Sequence, residues 1–371
     1  MARAYQSASR NAMSSPVQVA LIAALTGEWS SIQSRRFGVL MKVWYWAIAT
    51  TVATLVLLGV GGTVNPTGSS LACPDWPTCY GTFFPEMTGG VLFEHSHRIA
   101  ATVVGFMTCI LAVSIWRSRP PQRRLRVLAV SVVALVIFQG VLGGLTVIFK
   151  LPTAISTAHL AIAMGFFSFL IYLTFLLWPG HGMSTDSPVA TESAWRPSGR
   201  AHLTRRIAAV AALAVYVQIL LGALVRHMGA GLACPDIPFC HGALWSSLGP
   251  AQLHMAHRYA GVLVAFMVVA AAITVLREIR MGDLGARPVA RVAAHLAPWL
   301  VVVQVGVGLW MVARNIHWVP ATVHLVLGAT LLGSLLVAFL GLGPMAVQAV
   351  STAPDLPIDE AGLVVPEGSA A

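Results

Sequence analysis

Side chains able to do chemistry are sparse in this chain, and they recur in pairs. Glu94 to Arg98 reads EHSHR and His254 to Arg258 reads HMAHR, each at the start of an otherwise apolar run. Each pentad follows a cysteine loop, CPDWPTC at Cys73 to Cys79 and CPDIPFC at Cys234 to Cys240. The repeated unit is therefore longer than the pentad, and the chain is a duplication. Imidazoles at such positions serve as metal ligands or as interhelical hydrogen-bond partners, and a carboxylate beside them is costly in apolar surroundings unless it has work or a partner.

Of the twelve histidines, His97, His159, His257 and His324 each sit near the start of a different apolar run and match across the repeat. Four imidazoles at similar depth suit axial ligation of a planar macrocycle held between two neighbouring helices, His97 with His159 and His257 with His324. At 100° per residue His95 points away from His97, whereas positions 94 and 97, or 254 and 257, share a face, so His254 is the counterpart of Glu94. His95, His227, His241 and His317 read as loop or helix-end residues. Glu94 reads as the one acidic residue at or within a membrane segment. It is either a helix-end carboxylate satisfied by the dipole or the mark of divided roles between two sites. Arg98 and Arg258 follow the proposed ligands, where a guanidinium could neutralise a heme propionate or snorkel to lipid headgroups.

The elements that must position these groups are transmembrane. With 57% hydrophobic residues, 10% charged residues and a mean hydropathy of +0.77, the 371 residues exclude an ordinary soluble domain. Apolar segments long enough to span a bilayer cover roughly 43–64, 95–116, 125–148, 154–178, 207–226, 255–276, 291–313 and 320–343. The net charge of +10 could suggest nucleic acid, but 18 of the 23 Lys and Arg residues lie in the N-terminal stretch and in the linkers after segments two, four and six. That pattern is topological: it puts both termini in the cytoplasm and the cysteine loops outside. An oxidising outer face agrees with disulfides Cys73–Cys79 and Cys234–Cys240, leaving Cys109 free. Each half has an even number of spans, so the halves share one orientation. The expected fold is an all-α polytopic membrane protein, eight helices as two tandem four-helix bundles related by a pseudo-twofold axis along the membrane normal. Gln139 and Gly143, Gln218 and Gly222, and Gln304 and Gly308 repeat a QxxxG spacing that permits close helix packing.

The domain plan is then a mostly disordered cytoplasmic tail at 1–42 with no cleavable signal peptide, an N-terminal half at 43–178, a linker at 179–206, a C-terminal half at 207–343 and a polar, acidic tail at 344–371. Neither the linker nor the final tail carries a chemical motif.

At these residues the sequence resembles the heme A synthase family, over roughly 43–343. The resemblance rests on EHSHR with HMAHR, on the lead-ins GGTVNPTGSSLACPDWPTC and GALVRHMGAGLACPDIPFC, and on His159 and His324 in the fourth span of each half. It implies a membrane enzyme that oxidises a methyl group of heme O to a formyl group, by successive hydroxylations and loss of water from a geminal diol, supplying heme A for terminal oxidases. It implies heme b as cofactor on His257 and His324, substrate heme near His97 and His159, and Glu94 as the essential glutamate, acting as proton acceptor or charge stabiliser. Arg98 and Arg258, from their positions beside these histidines, are the candidates for binding the propionates of the substrate heme and of heme b. The implied partners are heme O, a heme O synthase, an electron acceptor and membrane lipid. Asn65 and Pro66 depart from the pattern, standing where the second half has Arg226 and its neighbour. A non-enzymatic di-heme b electron carrier predicts two alike sites, which Glu94 opposite His254 opposes. A thiol-disulfide redox protein lacks its CxxC spacing.

Overall fold

The computed structural model describes residues 16–118, 123–178, 199–247, 249–281 and 288–342. Long apolar runs in lipid must pair their own backbone N–H and C=O groups. Among the described residues the chain does so with helices alone: α1 (Pro16–Val64), α2 (Gly89–Ser118), α3 (Arg123–Ile148), α4 (Thr153–Leu176), α5 (Gly199–His227), α6 (Gly249–Met281), α7 (Pro288–Ala313) and α8 (Trp318–Gly341), with a single 3₁₀ turn at Ala230–Leu232. All eight are long and apolar enough to cross a membrane, and the protein is a multi-pass membrane protein.

The boundaries differ from the expected ones in physically readable ways. Helix α1 begins at Pro16, so residues 16–42, expected as a disordered tail, continue the first span. Proline is well suited to a first helical position, and the Ala, Leu and Gln residues that follow are good helix formers. Residues 1–15 lie outside the described residues, as do 179–198 of the linker and the tail at 344–371. The remainder of the linker, 199–206, belongs to α5. Helix α2 starts at Gly89, with φ of +51°, so EHSHR lies a turn inside the helix rather than at its start. Helix α6 runs to Met281 and contains buried Glu278; Glu94 is therefore not the sole acidic residue in a membrane helix. Hydropathy ends that segment at the first charge, but the backbone stays helical beyond it.

In the first half α1 packs on α2, α2 on α3, α3 on α4 and α4 on α1; α5 to α8 close in the same way. The halves meet through α1 on α8, α4 on α5 and α4 on α8. Exchanging the first four helices for the last four leaves this set of packed pairs unchanged. The largest buried cluster lies at that junction, with Leu58, Phe167, Val215, Val268 and Leu332 among its members. Glycines allow the close approach: a Cβ on Gly62 would lie 3.0 Å from Leu325, and one on Gly333 3.3 Å from Ile171 and Phe167. The loops repeat as well. Lys150 and Leu151 between α3 and α4, and Asn315 and Ile316 between α7 and α8, take the same pair of left-handed conformations.

Candidate functional site

His97 and His257 are the ninth residues of α2 and α6, and His159 and His324 the seventh of α4 and α8. At 1.5 Å per residue all four lie about 9–12 Å along their helices from the end that carries the cysteine loops. Packing order changes one expectation. Helices α2 and α4 are each flanked by α1 and α3, so the paired histidines come from opposite corners of the ring rather than from neighbouring helices. His97 and His159 nevertheless line one cavity.

Each imidazole rests on a glycine of the preceding helix. A Cβ on Gly61 would lie 2.7 Å from Cε1 of His97, on Gly143 3.0 Å from His159, on Gly222 2.9 Å from His257 and on Gly308 3.0 Å from His324. No residue but glycine leaves these rings where they are. The QxxxG spacing is thus more than helix packing: its glycine seats a histidine and its glutamine holds it. Gln139 Nε2 donates to the carbonyl of His159 at 2.9 Å and Gln218 Nε2 to that of His257 at 2.8 Å, each beside the ring Nδ1 at 3.2 and 3.0 Å. Gln304 has its amide nitrogen where a Cβ on Gly328, one turn beyond His324, would lie 3.3 Å away. The first seat lacks this holder, since Leu57 occupies the position four before Gly61. Nδ1 of His97 and of His324 are buried with no hydrogen-bond partner. Bare glycine seats and unpartnered buried imidazole nitrogens fit axial ligation of a heme in both halves.

The surroundings of the two pairs differ. In the first half a cavity of about 600 Å³ is lined by Glu94, His97, Arg98, His159 and Trp76 and extends to Phe106, Cys109 and Ile137. Gly105 and Gly140 widen it there, whereas the matching positions of the second half hold Ala265 and Val305. Trp76 of the cysteine loop sits on Gly144, where a Cβ would meet its ring at 2.6 Å; Ile237 and Leu309 take those positions in the second half.

Glu94 is 4% exposed. Its Oε2 accepts from the backbone N–H of Cys73 at 2.9 Å and its Oε1 from Arg98 Nη2 at 2.6 Å. The carboxylate therefore ties the cysteine loop to α2. His254 takes the same place in α6 and is also buried, with an unpartnered Nδ1. Arg98 donates besides to the carbonyls of Asp75, at 2.7 Å, of Thr78 and of Cys73, and Arg258 does the same to Asp236, at 2.7 Å, Phe239 and Cys234. Both guanidiniums latch loops, work that the pentads alone did not reveal.

The loops are closed by disulfides Cys73–Cys79 and Cys234–Cys240, with Cα atoms 4.8 and 4.7 Å apart; Cys109 is free and exposed. Asp75 organises the first loop, accepting from the Thr78 hydroxyl, from Tyr80 N–H at 2.6 Å and from Gly81 N–H at 3.0 Å. The Thr78 hydroxyl, and after it the Gly81 amide, hold its carboxyl below the ordinary carboxylate value. His95 lies beside the Cys73–Cys79 disulfide and bonds the Phe83 carbonyl, and His241 bonds the Ala233 carbonyl. His317 caps α8 by accepting from Val319 N–H.

Sequence reasoning missed two cavity residues, Arg226 and His227 at the end of α5, which line the first-half cavity although they belong to the second half. The scarcity of cations on that side, where Arg226 is joined by Lys150 and Arg314 alone, was the available signal.

A family model described as "Cytochrome oxidase assembly protein" matches residues 44–336. Similar curated proteins include the heme A synthase of Geobacillus kaustophilus, 30% identical over 286 residues that cover 76% of this chain and 85% of the relative. The heme A synthase of Bacillus licheniformis is 32% identical over 236 residues, 62% of this chain and 74% of the relative. That of Symbiobacterium thermophilum is 30% identical over 224 residues, 60% and 72%. A match over eight helices that hold four seated histidines and two matched disulfide loops places this chain in the heme A synthase family of cytochrome oxidase assembly proteins.

Proposed function

We propose that this protein is a heme A synthase, an oxidoreductase that converts a methyl group of heme O to the formyl group of heme A. In this reading the halves are two four-helix bundles related by a pseudo-twofold axis along the membrane normal. The first-half cavity receives heme O between His97 and His159, and the second half holds heme b through His257 and His324. The observation that carries it is likeness with a difference: all four histidines rest on glycines, but Glu94, which lines the cavity of about 600 Å³ beside His97 and His159, is replaced in the second half by His254. A carrier with two permanent hemes has no use for that difference.

Bound heme b supplies one-electron redox chemistry. The chain's residues do the rest. His97 and His159 orient the substrate, and the glycine seats set the depth of their rings. Glu94 presents a fixed carboxylate at the cavity wall; with each oxygen already accepting a hydrogen bond, it suits stabilisation of positive charge developing at the reacting carbon more than carriage of a proton. Arg98 and Trp76 hold the cysteine loop over the cavity mouth, which limits entry of water. The partners that this chemistry needs are a heme O synthase as supplier, an electron acceptor and the lipid around the helices. The arginine-rich linkers support a plasma-membrane orientation with both termini cytoplasmic and the disulfide loops outside.

Pigments extracted from cells with and without the protein, identified by mass, test the function. Heme A that appears only with the protein, at the expense of heme O, is expected. Unchanged heme O together with two hemes b retained per purified chain would instead establish a carrier.

A further inference from the structure

The first-half cavity is not walled by the first half alone. Arg226, in the last turn of α5, lines it. Its Nε donates to Asn65 Oδ1 at 2.9 Å and its Nη2 to the Gly62 carbonyl at 3.3 Å, both neutral acceptors. Among the described residues no carboxylate lies within ion-pair distance of it; the one ion pair there joins Arg98 and Glu94. Arg98, the other guanidinium of the cavity, is engaged by three loop carbonyls and by Glu94. The repeat sharpens the point. Val64–Gly68 reads VNPTG and Val225–Gly229 reads VRHMG, so the first half carries Asn65 at the position of Arg226, and that asparagine receives the arginine of the other half.

A guanidinium beside an apolar cavity, aimed by an amide and lacking a counter-anion, matches a ligand carboxylate, which its planar fork binds through two donors. We propose that Arg226 binds a carboxylate side chain of the macrocycle held in the first-half cavity, so that the substrate site is completed by a residue of the second half. This rests on the reading that the cavity takes a heme. It also gives Asn65 a role, orienting Arg226 where an arginine of its own would compete for the space.

The test uses full-length protein with its second-half heme in place, titrated with iron protoporphyrin IX and with its dimethyl ester, and followed by absorbance. In the parent protein the diacid is expected to bind tighter than the diester. Arg226→Gln is expected to weaken the diacid about tenfold, the scale of a lost charge-assisted bond, and to leave the diester unchanged. Arg226→Lys, which keeps the charge without the fork, should retain part of the preference. Equal loss for both probes would mean that Arg226 only joins the halves or complements the end of α5; that result, or an unchanged diacid affinity, overturns the proposal. If Arg226→Gln does not accumulate, Arg226→Lys decides by the same comparison. His97→Ala is the separate check on the cavity itself: probe binding that survives it, with the second-half heme retained, removes heme from the first-half cavity whatever Arg226 does.

Discussion

If the second half holds a heme through His257 and His324, as proposed, Gly222→Ala should weaken its binding. The added Cβ would stand 2.9 Å from Cε1 of His257, where ordinary contacts begin near 3.4 Å, so the ring must retreat by about half an ångström. It has little room, because Gln218 holds the His257 backbone carbonyl at 2.8 Å and lies beside the ring at 3.0 Å. Overpacking of this kind costs about 1–3 kcal/mol. If that cost falls on the liganded geometry, heme affinity drops about 5- to 150-fold. Purified variants compared by heme-to-protein ratio and by the reduced-minus-oxidised spectrum give the answer. Gly306→Ala is the matched control in the neighbouring helix α7, since a Cβ there meets nothing within 4 Å. Gly61→Ala is the counterpart in the other half; with its Cβ only 2.7 Å from His97 it should spare the second-half heme and suppress heme A formation. Wild-type heme content in Gly222→Ala, or an equal loss in Gly306→Ala, would refute the glycine-seat reasoning.

Glu94→Gln preserves shape and removes charge; it is expected to fold, keep the second-half heme and accumulate heme O or a hydroxylated intermediate, and near-normal heme A on extraction would remove Glu94 from the mechanism. His257→Ala and His324→Ala should each lose the retained heme, whereas His95→Ala, which forfeits a bond to the Phe83 carbonyl, should keep it; visible spectra of the three separate ligand from loop residue. Asp75 supplies a pH test. Its folded value is depressed, first by the Thr78 hydroxyl, so its contribution to loop order is complete above the ordinary carboxylate range and is lost as pH falls through the lower folded value. Protease protection of the loop should therefore fall at acid pH in the parent protein and be weaker and pH-insensitive in Asp75→Asn.

What the sequence determined by itself were the properties carried by local pattern. Hydropathy located the apolar body of all eight helices, because a lipid-spanning run must pair its backbone within itself, but not the more polar extensions such as 16–42 of α1 and 199–206 of α5. The two cysteine loops and the paired pentads exposed the duplication, and matched placement within each half identified His97, His159, His257 and His324. Their shared depth follows from counting along a helix. The features left to tertiary structure all depend on which helix lies beside which. Gln139 and Gly143 read as a packing spacing until α4 lies against α3, and then they are the holder and seat of His159. The guanidiniums of Arg98 and Arg258 turn to loop carbonyls because the disulfide loops fold back over α2 and α6, a course set by contacts more than fifteen residues away in sequence. Glu278 belongs to a membrane helix because α6 continues past the first charge, and α1 reaches back to Pro16 because helix propensity there needs no apolar face. Arg226 crosses to Asn65 because α4, α5, α1 and α8 form the junction between the halves. Periodicity along one helix holds no information about its neighbour; a close glycine contact or a hydrogen bond across 161 residues exists only once the helices have packed.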